Sequence, residues 1–114
     1  MRIDKINFGA KIRNTDAHKY LKELFARDSE KFPTLYDDFC KSINEILPKE
    51  TDVVDFRVVN NDIGQMKYFV SGRLTKDGRK SSFFTEASYK NGTDEAANTI
   101  VNLIKGITEL MKKY

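Results

Sequence analysis

The stretch from Met66 to Tyr89, MKYFVSGRLTKDGRKSSFFTEASY, limits most strongly what this chain can fold into. Asp77-Gly78 suits a two-residue type I′ turn, which needs positive φ at both central positions. Once that turn is placed, the register is arithmetic: Lys76 faces Arg79, and every further pair keeps the same sum. One face then pairs Leu74 with Ser81, Gly72 with Phe83, Val70 with Thr85, Tyr68 with Ala87 and Met66 with Tyr89. This apolar set is the expected core face. Phe83 is expected to lie over Gly72, because a ring can cover a residue that has no side chain.

The other face is less ordinary. It pairs Lys67 with Ser88, Phe69 with Glu86, Ser71 with Phe84, Arg73 with Ser82, and Thr75 with Lys80. Phe69 and Phe84 become diagonal neighbours within reach of each other. The preceding strand adds Asp55 and Arg57, with Val53 and Val59, to the same side. The result is a small aromatic centre ringed by Arg57, Lys67, Arg73 and Lys80. Three uses compete for such a face. Another element of the chain packs on it, a protein partner docks there as on other aromatic centres with charged rims, or nucleic acid stacks on the rings while the cations meet phosphates. Phe69, Phe84, Arg57, Lys67 and Arg73 are the candidate partner-binding residues.

The remaining elements follow from periodicity and punctuation. RIDKINFGAKI alternates weakly, with Ile6, Phe8 and Ile12 on one side, and reads as a first strand or an extended arm, ended near Gly9. Asn14-Thr15-Asp16 is a helix start, followed by Ala17, Tyr20, Leu21, Leu24 and Phe25 at helical spacing. Pro33 ends that helix. Thr34 with Asp37 three residues on suggests a capping box for a second helix, closed by Pro48. That helix buries Leu35, Phe39, Ile43, Ile46 and Leu47 and leaves Asp37, Asp38, Asn44 and Glu45 outside. TDVVDFRVVNN is a strand with Val54, Phe56 and Val58 inward, and Asn60 to Gly64 is a turn signal. The last helix starts at Thr93. Asp94 and Glu95 lie at the positive end of its dipole, and Lys112 and Lys113 at the negative end. The order β-α-α-β-β-β-α predicts one α+β domain over residues 1–114, with a three-stranded antiparallel meander packed against helices and an N-terminal strand as a possible addition.

Charge and composition narrow the function. The net charge is +3, but residues 34–56 carry two Lys/Arg against six Asp/Glu, and residues 57–92 carry seven against three. An acidic segment thus precedes a basic β segment. No apolar run has the length of a membrane span, and Met1-Arg2-Ile3-Asp4-Lys5 does not open a signal peptide. The expectation is a cytoplasmic protein with no membrane partner. Cys40 and His18 are single residues of their kind. That rules out an internal disulfide and argues against a structural zinc site, which needs four ligands drawn mainly from Cys and His. Cys40 reads as a small core residue and His18 as a surface one. Asp37 and Asp38 are adjacent in a helix and point in different directions. The glycines of SGRLTKDGRK lack phosphate-loop spacing. No cofactor, metal or catalytic residue is expected, and the chain reads as a non-enzyme.

Two stretches carry a resemblance. The helix-β-β-β-helix order from Thr34 onward is similar to a double-stranded-RNA-binding domain. The basic cluster that family carries at the start of its last helix is replaced here by Gly92-Thr93-Asp94-Glu95, which is acidic. GAKIRNTDAHKYL, Gly9 to Leu21, together with the element order, resembles the ribosome hibernation factors where their first strand ends and their first helix opens. That resemblance implies a ribosome- or RNA-binding domain. Against that family, the helix Thr34–Leu47 is extra and the strongly basic surface is absent.

The reading that follows is a small non-catalytic regulator or inhibitor. It docks stoichiometrically on a protein partner, with RNA or ribosome binding as the alternative. A compact domain without site chemistry, leaning to Lys, Asn and Ile, has the profile of accessory genes on phages and mobile elements. The apolar arc of the last helix, through Ile100, Val101, Leu103, Ile107, Leu110 and Met111, is wider than one sheet face needs. Either the helix Thr34–Leu47 covers its flank, or a second copy pairs through a seam of Leu103, Ile107 and Leu110 to form a homodimer.

Overall fold

The structure is a computed structural model and describes residues 9–13, 23, 25, 26 and 30–113. Strand β1 (Lys11–Arg13) is followed by helix α1 (Leu35–Ile46), strands β2 (Val53–Asp62), β3 (Lys67–Lys76) and β4 (Arg79–Ser88), and helix α2 (Thr93–Lys113). The four strands form one sheet in the order β1-β2-β3-β4. β1 runs parallel to β2, and the other neighbours are antiparallel. This is the α+β architecture expected from the sequence. The expected first helix lies largely outside the described residues, with Asn14, Thr15, Asp16, Ala17, His18, Tyr20, Leu21 and Leu24. Glu23, Phe25 and Ala26 are helical, and Phe25 is buried.

The hairpin is as the turn dictates. Asp77 and Gly78 have φ of 52° and 80°, and the β3–β4 pairs run from Lys76↔Arg79 to Lys67↔Ser88 without a break. The tip is tied down from outside the hairpin. The buried carboxylate of Asp52, just before β2, accepts the Asp77 backbone N–H at 3.1 Å. Its other oxygen lies 3.9 Å from Lys76 Nζ. Lys49 Nζ donates to Asp77 at 2.8 Å, and this pairing holds the Asp77 carboxyl below the usual carboxylate range.

Both helices cover the expected core face of the hairpin. Val54, Phe56, Val70, Leu74, Phe83 and Ala87 from the sheet meet Phe39, Ile43 and Leu47 of the α1 region and Ala96, Ala97, Ile100 and Ile104 of α2. Phe39 and Phe83 lie on either side of Phe56, with ring centroids 5.9 and 5.8 Å from it. α1 packs against α2 as well, so part of the broad apolar arc of α2 is covered within the chain. Arg79 Nη1 donates to Met111 O at 2.8 Å, placing a cation at the negative end of α2.

Several local expectations are corrected. The expected first strand ending near Gly9 falls on residues 1–8, outside the described residues; among the described residues a strand begins after Gly9, at Lys11. Gly9 sits against α1, where a β-carbon would come within 2.5 Å of Asn44 Cβ. The chain then joins the sheet through Ala10 N–H to Leu47 O and Lys11 N–H to Asp52 O. Ile12 packs against the core, while Ile6 and Phe8 lie outside the described residues. Asn44, expected outside, is therefore tucked under Gly9. Thr34 forms no capping box: its hydroxyl donates to the Asp38 carboxylate at 2.9 Å and caps no backbone N–H. The β2–β3 turn falls at residues 63–66 and not at 60–64. Asp62 Oδ1 takes the Gln65 N–H at 3.1 Å, and Met66 has φ of 54°. A bulge between Val58 and Asn60 shifts the register there, so Asn61 and not Asn60 reaches the core side. The Tyr89 hydroxyl donates to Asn61 Oδ1 at 2.9 Å. In α2, Ala96 and Thr108 are buried although neither was expected to be. The Thr108 hydroxyl is satisfied by Ile104 O.

Candidate functional site

The helices occupy one side of the sheet. Even-numbered residues of β4 and their register partners therefore make the opposite face. Phe69 and Phe84 meet there as diagonal neighbours, with centroids 6.0 Å apart and ring planes 24° apart. Phe84 is 59% exposed and Phe69 is half-buried. Lys67 Nζ lies 5.5 Å from the Phe69 centroid and forms an ion pair with Glu86. The five residues singled out for partner binding thus share one face. Lys67 differs from the other two cations in already having a carboxylate partner.

Beside the rings runs a groove of about 970 Å³ that crosses all four strands. Its walls are Arg13, Asp55, Arg57 and Arg73. Its floor is Ser71, Gly72 and Ser82, with Phe83 showing beneath Gly72. The depression has a simple cause: on this face Ser71 and Ser82 carry only hydroxymethyl groups, and Gly72 between them presents bare backbone. Gly72 cannot be anything larger, since a β-carbon there would come 2.1 Å from Asp55 O and 2.5 Å from Phe83 Cζ.

Arg13 is the site residue that sequence reasoning missed. Parallel pairing places it beside Asp55, with the side chains 3.8 Å apart. The signal available was the alternation Lys11-Ile12-Arg13 around one apolar residue. Counted over the described strands, this face carries six cations (Lys11, Arg13, Arg57, Lys67, Arg73, Lys80) and three carboxylates (Asp55, Asp62, Glu86). Its surplus equals the net charge of the whole chain, +3.

The other candidates lie apart. Leu103 and Ile107 are partly buried against the core, and Leu110 is 56% exposed. The three do not form one exposed seam. Cys40 is half-buried and packs against the core. The Tyr36 hydroxyl beside it has its pKa pushed up, by burial first and by Cys40 second. A second depression of about 330 Å³ lies at the start of α1, among Phe25, Phe32, Pro33, Leu35 and Tyr36. Among the described residues no three His, Cys, Asp or Glu side chains cluster as a metal site would require, and no helix is long and apolar enough to cross a membrane. No protein-family model, curated protein or solved structure matches this chain.

Proposed function

We propose that the open sheet face is a docking surface for an acidic segment of another protein. On this reading the chain is a small non-catalytic regulator or inhibitor, of the phage or mobile-element type, acting by stoichiometric binding. One observation carries the reading: a stacked aromatic pair, with Phe84 exposed, borders a groove walled by three arginines on the side of the sheet away from both helices. A partner's apolar side chain would cover Phe84, and its carboxylates would meet Arg57 and Arg73. Arginine suits this role because its planar fork binds a carboxylate through two parallel hydrogen bonds.

The arginine trio also favours a second reading, an RNA- or ribosome-binding domain. Two features weigh against it. Asp55 and Glu86 stand among the cations, where phosphates would have to approach them. Phe69 and Phe84 turn one face each to the other and leave less ring surface for a base. A salt titration of the complex separates the two readings. Phosphate contacts make the logarithm of affinity fall steeply with the logarithm of salt, whereas apolar docking with a charged rim loses mainly association rate. A complex dissolved by nuclease, or one with the steep slope, contradicts protein docking.

A further inference from the structure

We propose that the chain forms a two-fold dimer by antiparallel pairing of β4 with β4 of a second copy, joining the two sheets into one. The inference rests on the geometry of the strand edge and does not depend on the docking reading.

Among the described strands β4 is the last in the sheet order, and it is ten residues long. It contains no proline and pairs with β3 without a bulge. Such an edge is a template for another strand unless something blunts it. The turn tells which backbone groups face outward. A two-residue turn is closed by a hydrogen-bonded pair, here Lys76↔Arg79, and such pairs alternate along an antiparallel ladder. The odd-numbered residues of β4 therefore bond β3. Lys80, Ser82, Phe84 and Glu86 direct their N–H and C=O groups to the open edge. Among the described residues, a long 3.4 Å contact from the Thr85 hydroxyl to Glu86 O is the one hydrogen bond that reaches those groups.

The side chains choose the partner. In a two-fold antiparallel pairing, residue numbers facing each other have a constant sum, so each register has its own set of opposites. The register centred on Phe83 sets Lys80 against Glu86 of the second copy, and Glu86 against its Lys80. Opposite charges thus meet twice, and the centre from Ser81 to Thr85 is uncharged. The same register sets Phe84 against Ser82, just as Ser71 opposes Phe84 within the chain. It also makes the two Phe84 rings diagonal neighbours, the relation that Phe69 and Phe84 already have at 6.0 Å. The aromatic pair becomes a ladder of four rings, and Phe84 is flanked on its edge side while the sheet face above it stays open. Lys80, Ser82, Phe84 and Glu86 are all exposed, and Glu86, paired with Lys67 through one oxygen, has the other to offer the incoming Lys80. A stranger's edge would have to reproduce this charge pattern, which a second copy supplies by symmetry.

Sedimentation equilibrium of the full chain tests this. The wild type should be a dimer. Lys80→Glu sets like charges opposite each other twice, as does Glu86→Lys, and each alone should weaken dimerisation roughly tenfold or more. An equimolar mixture of the two variants should recover wild-type affinity, because every clash becomes an attraction. Ser82→Pro removes an outward N–H, which an edge strand tolerates, and should give a folded monomer by circular dichroism. If that variant fails to fold, the charge-swap mixture decides. A wild type that stays monomeric to millimolar concentration overturns the proposal. So does a dimer that ignores both charge variants, or one lost on Leu110→Glu and kept in Ser82→Pro, which would place the seam on α2.

Discussion

The ring of Phe83 fills the space in which a β-carbon of Gly72 would stand, 2.5 Å from its Cζ, while Asp55 O closes the same space at 2.1 Å from the other side. Gly72→Ala should therefore displace a backbone as well as a ring. The expected loss is roughly 3 kcal/mol or more, at the high end for overpacked cores, read as a lower urea midpoint. Phe83→Ala should cost less in this background than in the wild type, because there it also removes one of the two clashes.

Phe84→Ala and Phe83→Ala are neighbours in sequence and opposites in consequence. Phe84 is 59% exposed and Phe83 is 8% exposed. Removing the Phe83 ring should cost about 3–5 kcal/mol, as large core truncations do. Removing the Phe84 ring should cost about 1 kcal/mol or less, most of it the lost stacking on Phe69. Thermal melts of the two variants check this, and a large loss from Phe84→Ala would mean that its face is covered in the folded protein.

The hairpin tip is held by Asp52, and this too is measurable. Asp52→Ala leaves Lys76 without its buried partner and the Asp77 N–H without its acceptor. A loss of about 2–4 kcal/mol is expected. Asp52→Asn keeps an acceptor for Asp77 and should lose less. Amide hydrogen exchange at the turn should rise in both variants, and more in Asp52→Ala.

Two carboxyls give the acid limb a direction. Asp77 is held low chiefly by its hydrogen bond from Lys49, and Glu95 by the backbone N–H of Asn91. Each folded value lies below the unfolded one. Their contributions are therefore complete above the ordinary carboxylate range and disappear as pH falls through the depressed folded values. Lys49→Ala should bring the Asp77 titration back towards the ordinary carboxylate value when followed by NMR, with Glu95 unmoved.

How much of this was readable in the residues varies by element. The β3–β4 register was complete in the sequence because Asp77-Gly78 admits one turn type, and all its pairs follow by counting. The diagonal meeting of Phe69 and Phe84 came with it. For Arg13 the alternation around Ile12 gave the face but not the place, because the parallel pairing of β1 with β2 depends on how the chain between them folds, and no local residue fixes it. The bulge after Val58 left no mark, since Val-Val-Asn-Asn suits a regular strand as well as a bulged one. The contact of Gly9 with Asn44 was not readable, because a glycine marks a close approach as readily as a strand end. On α2, Leu110 carries the same apolar signal as Ile104 but lies exposed. Spacing alone gives the arc and not the limits of what covers it.

Charge reversal should separate the two flanks of the site. Arg57→Glu and Arg73→Glu change side chains that are both exposed, so stability should shift by about 0.5 kcal/mol or less. Association with an acidic partner should slow, more at low salt than at high. Lys67→Glu is a poorer probe because it also sets a like charge beside Glu86. Stopped-flow or surface-binding kinetics across a salt series would show the difference.

The most direct test of the docking face is differential capture by two folded baits, the wild type and Phe84→Ala, from nuclease-treated lysate of cells that carry the chain naturally. Retained proteins are quantified by mass spectrometry. The account predicts one acidic protein held in near-equal ratio to the wild-type bait and depleted from Phe84→Ala, with both baits melting at nearly the same temperature. A partner held equally by both baits, or one that nuclease removes from both, would contradict it.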